Sequence, residues 1–92
     1  MPLQILSSPS SSDESVNELR TAIDHAIAGA AVEVTSTSPG HFEIEVTSAV
    51  FAGKSRVQQQ QLVYAAIAHL MKGDAAPVHA IDQMRTRVPE NG

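Results

Sequence analysis

FAGKSRVQQQQLVY, residues 51–64, is the stretch on which the reading of this chain turns. Phe51 to Ser55 reads as a turn feeding a helix: Gly53 suits a tight backbone, and Ser55 is placed to cap the helix with its hydroxyl. From Val57 to Met71 apolar residues recur at helical spacing. They broaden in the second half (Leu62 to Ala68, then Leu70 and Met71), which predicts the more buried of two helices. Gly53-Lys54-Ser55 also resembles the end of a phosphate-binding loop. Such a loop needs an earlier glycine, and position 48 is Ser, so the three residues match by coincidence.

Upstream, His41–Thr47 alternates strictly. Phe42, Ile44 and Val46 lie on one face, and His41, Glu43, Glu45 and Thr47 on the other. Ala31–Ser36 is short and rich in β-branched residues, and residues 36–40, STSPG, form the turn that joins the two strands. Before them, Val16, Leu19, Ile23, Ala26 and Ile27 recur at helical spacing through Ala28. Ser11 with Glu14 predicts a capping box, and Gly29 a stop. Residues 1–11 are rich in Ser and Pro and are expected to be a flexible N-terminal segment. Downstream, Gly73 and Pro77 end the second helix, Val78–Arg85 is a last strand, and residues 89–92 are a frayed tail. The order is α-β-β-α-β over a single domain, residues 12–88. The helix between the second and third strands is a crossover, so those strands should run parallel. The fold class expected is α+β, with a three-stranded mixed sheet open to water on its charged face and covered by helices on the other.

The bulk composition narrows the function. Ninety-two residues make one domain with one modest core, and 42% hydrophobic content suffices to fold it. Three aromatics and no Trp make that core aliphatic. The absence of Cys removes disulfides, thiolate metal sites and cysteine nucleophiles, and in so small a domain it favours a reducing, cytoplasmic setting. No signal-peptide pattern and no apolar run of membrane-spanning length is present. The acids scatter over polar faces with no paired carboxylates, and no catalytic motif appears, so the chain is read as a binding protein and not an enzyme.

Net charge is −4, unevenly spread: residues 1–53 carry −6 and residues 54–88 carry +3. Scattered charge is ordinarily surface solvation. A functional reading makes Lys54, Arg56, Arg85 and Arg87 contacts for an acidic partner or for phosphates, although an acidic chain is a poor dedicated nucleic-acid binder. Of four histidines, His25 and His69 read as surface residues of the helices. His41 opens the second strand on its polar face, and His79 is the second residue of the last strand. Neutral imidazoles at these two positions are good ligands for a borderline metal. Without Cys they cannot complete a tetrahedral site, so a partner would have to supply the remaining ligands.

Four spaced elements then line up in order: Gly40-His41-Phe42, Phe51-x-Gly53-Lys54-Ser55-Arg56-Val57, Leu62-Val63-Tyr64 and, in the last strand, Val78-His79-Ala80-Ile81. Over residues 31–89 the chain resembles the BolA family, in the branch with a compact loop between the first two strands. The resemblance implies a class II KH-like fold and an adaptor that binds a monothiol glutaredoxin. The pair would share a [2Fe–2S] cluster, with thiolates from the glutaredoxin and glutathione, in iron–sulfur cluster assembly, trafficking or iron sensing. His79 matches the family's ligand position in the last strand. The loop Thr35–Gly40 holds neither His nor Cys, so His41 at its edge is the second candidate, and the family's C-terminal Trp is absent. Alone, the chain is expected to be a monomer or weak homodimer. The alternative the resemblance implies is a nucleic-acid-binding transcription regulator of stress or morphology genes, acting on DNA through the KH-like fold and the basic residues named above. Gly53-Lys54-Ser55-Arg56 lacks the second glycine of the KH clamp.

Overall fold

The computed structural model describes residues 11–73 and 76–90. Helix α1 runs Ser11–Ala26, strand β1 Ala31–Ser38, strand β2 His41–Thr47, helix α2 Arg56–Ile67 and strand β3 Ala80–Arg87. Strand order is β1-β2-β3, with β1 antiparallel and β3 parallel to β2. The α-β-β-α-β order and the mixed sheet are as the sequence implied. Of the segment expected to be flexible, residues 1–11, the first ten lie outside the described residues and Ser11 already belongs to α1.

The helices form for local reasons. Asp13 and Glu14 sit in the first turn of α1 and His25 in its last, each on the side the helix dipole favours. Ser11 is already the first helical residue, so the capping position lies one residue earlier than expected and outside the described residues. Ser55 caps α2 through a complete box: its hydroxyl accepts from the Gln58 backbone N–H at 3.1 Å, and the Gln58 side chain accepts from the Ser55 N–H at 2.9 Å. The next glutamines are also employed. The Gln59 amide donates to the carbonyls of Phe51 and Lys54 and its oxygen accepts from the Thr86 hydroxyl, while Gln60 donates to the Met84 carbonyl on β3.

The core lies between the helices and one sheet face. Leu19, Ile23 and Ile27, Phe42, Ile44 and Val46, and Val63 and Ile67 are buried there with Phe51 and Val78. Each such side chain stabilises the fold by roughly 1.5–3 kcal/mol through burial. Phe51 ends a 3-10 turn, Ala49–Phe51, that joins β2 to the loop before α2. Ser48 caps that turn from complete burial, its hydroxyl donating to the Ala28 carbonyl at 2.9 Å and accepting from the Val50 N–H at 3.1 Å. Its own N–H reaches the Arg87 carbonyl, so one residue ties together the ends of β2, β3 and α1.

Three expectations need correction. The second helix is not the more buried one: α2 buries only Val63 and Ile67, while Val57 is 61% and Tyr64 41% exposed. A single i, i+4 row enters the core because α2 packs at the β3 side of the sheet, so the broad apolar band of its second half has only one side to cover. The α-helix also stops at Ile67 and continues to Leu70 as a 3-10 turn. Lastly, β1 extends to Ser38, leaving only Pro39 and Gly40 as the turn, and β3 begins at Ala80 and ends at Arg87. His79 therefore stands just before the strand rather than inside it.

Candidate functional site

Gly40 organises the corner of the sheet that carries the two candidate histidines, His41 next to it in sequence and His79 bonded to its carbonyl. It has φ +78°, a left-handed conformation that side chains resist. Its carbonyl accepts two backbone bonds, from the N–H of His79 at 2.8 Å and of Ala80 at 3.1 Å. These hold the start of β3 against the turn before β2. The His79 ring lies over the Gly40 Cα: a Cβ there would stand 2.5 Å from His79 Cδ2. Glycine thus leaves the space that the imidazole fills. His79 is exposed, and its ring has no hydrogen-bond partner among the described residues.

His41 follows Gly40 directly and pairs with Ala80 in the β2–β3 ladder. Its side chain is 44% exposed, and its Nδ1 lies 3.0 Å from Asp82 Oδ1. Asp82 Oδ2 accepts from the Thr37 hydroxyl at 2.9 Å. The hydrogen bond to His41, and then that from Thr37, hold the Asp82 carboxyl below the usual carboxylate range. Both partners arrive through strand irregularities. Register shifts between Ser36 and Ser38 in β1, leaving Thr37 unpaired, and between Ile81 and Gln83 in β3, leaving Asp82 unpaired. Two bulges thus flank the first residues of β2, and their side chains meet on the open face.

The basic candidates separate. Arg56, Arg85 and Arg87 line one cleft of about 300 Å³ beside Gln60, Met84 and Thr86, whereas Lys54 is not part of it. Arg87 pairs with Glu45 at 2.7 Å, and Arg85 donates to Gln83. Arg56 and Lys54 have no ion-pair partner among the described residues.

The sequence reading found His41 and His79 but passed over Asp82 and Thr37. A signal was present: Ile81 and Met84 both pack on the core, and the two polar residues between them break strict alternation, as a bulge requires. Among the described residues no group of three or more His, Cys, Asp and Glu side chains could hold a metal ion. Two imidazole nitrogens are open at this end of the sheet: the His79 ring, which has no hydrogen-bond partner among the described residues, and the Nε2 of His41, whose Nδ1 faces Asp82. No helix among the described residues is long and apolar enough to cross a membrane.

Comparison with known proteins agrees with this architecture. The chain is similar to a bolA protein homologue from Coxiella burnetii (24% identity, 82% of this chain and 91% of that one, TM-score 0.67). It is also similar to a bol-like protein from Babesia bovis (26%, 92% and 91%, TM-score 0.67) and to the BolA domain of SufE1 from Arabidopsis thaliana (21%, 85% and 95%, TM-score 0.65). No curated protein matches it. The family profile described as BolA-like protein matches residues 16–91, which takes in most of α1 as well as the sheet and α2, and the chain belongs to that family.

Proposed function

We propose that this chain is a non-enzymatic adaptor that binds a monothiol glutaredoxin and shares a [2Fe–2S] cluster with it, His79 and His41 being its ligands. The observation that carries the reading is the Gly40 corner. It brings two imidazoles to one end of the sheet, His79 with no ring partner and His41 engaged only through Nδ1. The cluster would supply the redox and ligand-exchange chemistry. The chain supplies imidazole nitrogens on a rigid backbone, and with no Cys it depends on the partner and glutathione for thiolates. Co-purification with a monothiol glutaredoxin should give a coloured heterodimer whose visible spectrum changes in His79→Ala. A colourless mixture, or an unchanged spectrum in that variant, would count against the reading.

A second reading, binding to DNA, is favoured by the cleft that gathers Arg56, Arg85 and Arg87. Phosphate contacts of this kind weaken steeply with salt. Binding to a DNA duplex at low salt that is lost in Arg56→Ala would support it, and no binding at low salt would remove it.

A further inference from the structure

We infer that Asp82, braced by Thr37, is the positioning residue that fixes the His41 imidazole with its Nε2 lone pair facing outward. This rests on the reading of His41 as a ligand and extends it to the groups that prepare the ring. An ionised carboxylate can only accept hydrogen bonds. Asp82 Oδ1 lies 3.0 Å from His41 Nδ1, and Asp82 Oδ2 already accepts from Thr37 at 2.9 Å. In a neutral ring the proton therefore sits on Nδ1, and Nε2 carries the free pair. A carboxylate behind a ligating histidine is the arrangement that orients imidazoles toward metals, fixing both tautomer and ring plane.

The backbone has been bent to build it. Thr37 and Asp82 are the unpaired residues of two separate bulges, one in each strand flanking β2. Regular pairing of β3 would have given Asp82 a rung of its own in the ladder and altered the side chain presented to His41. His79 has no hydrogen-bonded carboxylate behind it among the described residues, and its ring lies over Gly40. The two imidazoles thus differ in kind: one is held by a carboxylate and the other has no hydrogen-bond partner among the described residues.

The test uses the full chain alone, labelled with nitrogen-15, at about pH 8 where free imidazoles are neutral. Imidazole nitrogen shifts should show His41 as the Nδ1–H tautomer. In Asp82→Ala the tautomer ratio should move toward Nε2–H by about tenfold or more, the size expected for loss of a charge-assisted hydrogen bond. Asp82→Glu should restore part of it. Substoichiometric Cu²⁺ then serves as a probe of the free pair. Broadening at His41 relative to His79 in the same molecule should fall several-fold in Asp82→Ala, a ratio that a merely structural bond would leave alone. If Asp82→Ala does not fold, Thr37→Val gives the same readings in smaller measure. A His41 ring already in the Nε2–H form, or a Cu²⁺ ratio unmoved by these variants, would overturn the assignment. A locked tautomer in a chain that forms no coloured complex with glutaredoxin would leave Asp82 in place and remove the shared cluster.

Discussion

Replacing Gly40 with Ala tests the corner directly, because the structure separates two costs. The first is backbone: at φ +78° an L side chain is strained by about 1–2 kcal/mol. Part of that is offset by about 0.4–1 kcal/mol, since alanine restricts the unfolded chain. The second is steric. The new methyl would lie 2.5 Å from His79 Cδ2, 2.9 Å from Cγ and 3.3 Å from Cβ. The ring can swing away, but the Cβ belongs to a residue whose N–H is bonded to Gly40 itself. Forcing such a side chain off its rotamer costs about 0.5–1.5 kcal/mol. Gly53 supplies the control, with φ +79° and nothing within 4 Å of an added Cβ. Urea unfolding followed by circular dichroism should show Gly53→Ala destabilised by about 1 kcal/mol or less, and Gly40→Ala by about 1 kcal/mol more, with unchanged slopes. In a chain of this size the difference corresponds to roughly 4–8 °C in Tm. Equal losses in the two variants would refute the claim that His79 occupies the space a side chain would need.

Two further outcomes are expected. Ser48→Ala should cost about 1–3 kcal/mol, because it removes a fully buried hydroxyl that bonds both the Ala28 carbonyl and the Val50 N–H, whereas Ser55→Ala, in an exposed cap, should cost about 1 kcal/mol; thermal melts giving the reverse order would contradict the burial argument. The Asp82 carboxyl has a folded pKa below its ordinary 3.8, so its stabilising effect is full above that value and disappears as pH falls through the folded value. The Tm difference between wild type and Asp82→Asn should therefore shrink on acidification below about pH 3.8, and a difference that widens there would show that the carboxyl is not favoured in its ionised form.

Periodicity made some of this architecture legible and hid the rest for definite reasons. The alternation of His41–Thr47 located β2 and its buried face, because a sheet with one wet side leaves a period of two. Ser55 was readable as a cap for an equally local reason. The depth of α2 was not readable, since Val57 and Tyr64 are apolar yet exposed, and only tertiary packing decides which row of a broad stripe is used. His79 was recognisable by its neighbours Val78 and Ala80, but its place outside β3 depends on a Gly40 carbonyl 39 positions earlier in the chain. Thr37 and Asp82 escaped notice because each acts through a bulge, and a bulge is the departure from alternation that a period-two reading discounts.

The glutamine run of α2 bears on how copies of this chain keep apart. β3 is an outer strand, and an uncovered strand rim is a template for another polypeptide to zip onto. Gln60 occupies the Met84 carbonyl, and Gln59 fastens Thr86 to the helix. An incoming strand would first have to pull the Gln60 amide away, and the arginines of the neighbouring cleft repel a second copy of themselves. Two neutral amides of that run, featureless as a sequence, thus act as a guard along one of the sheet's two outer strands, where fibril-like stacking could begin.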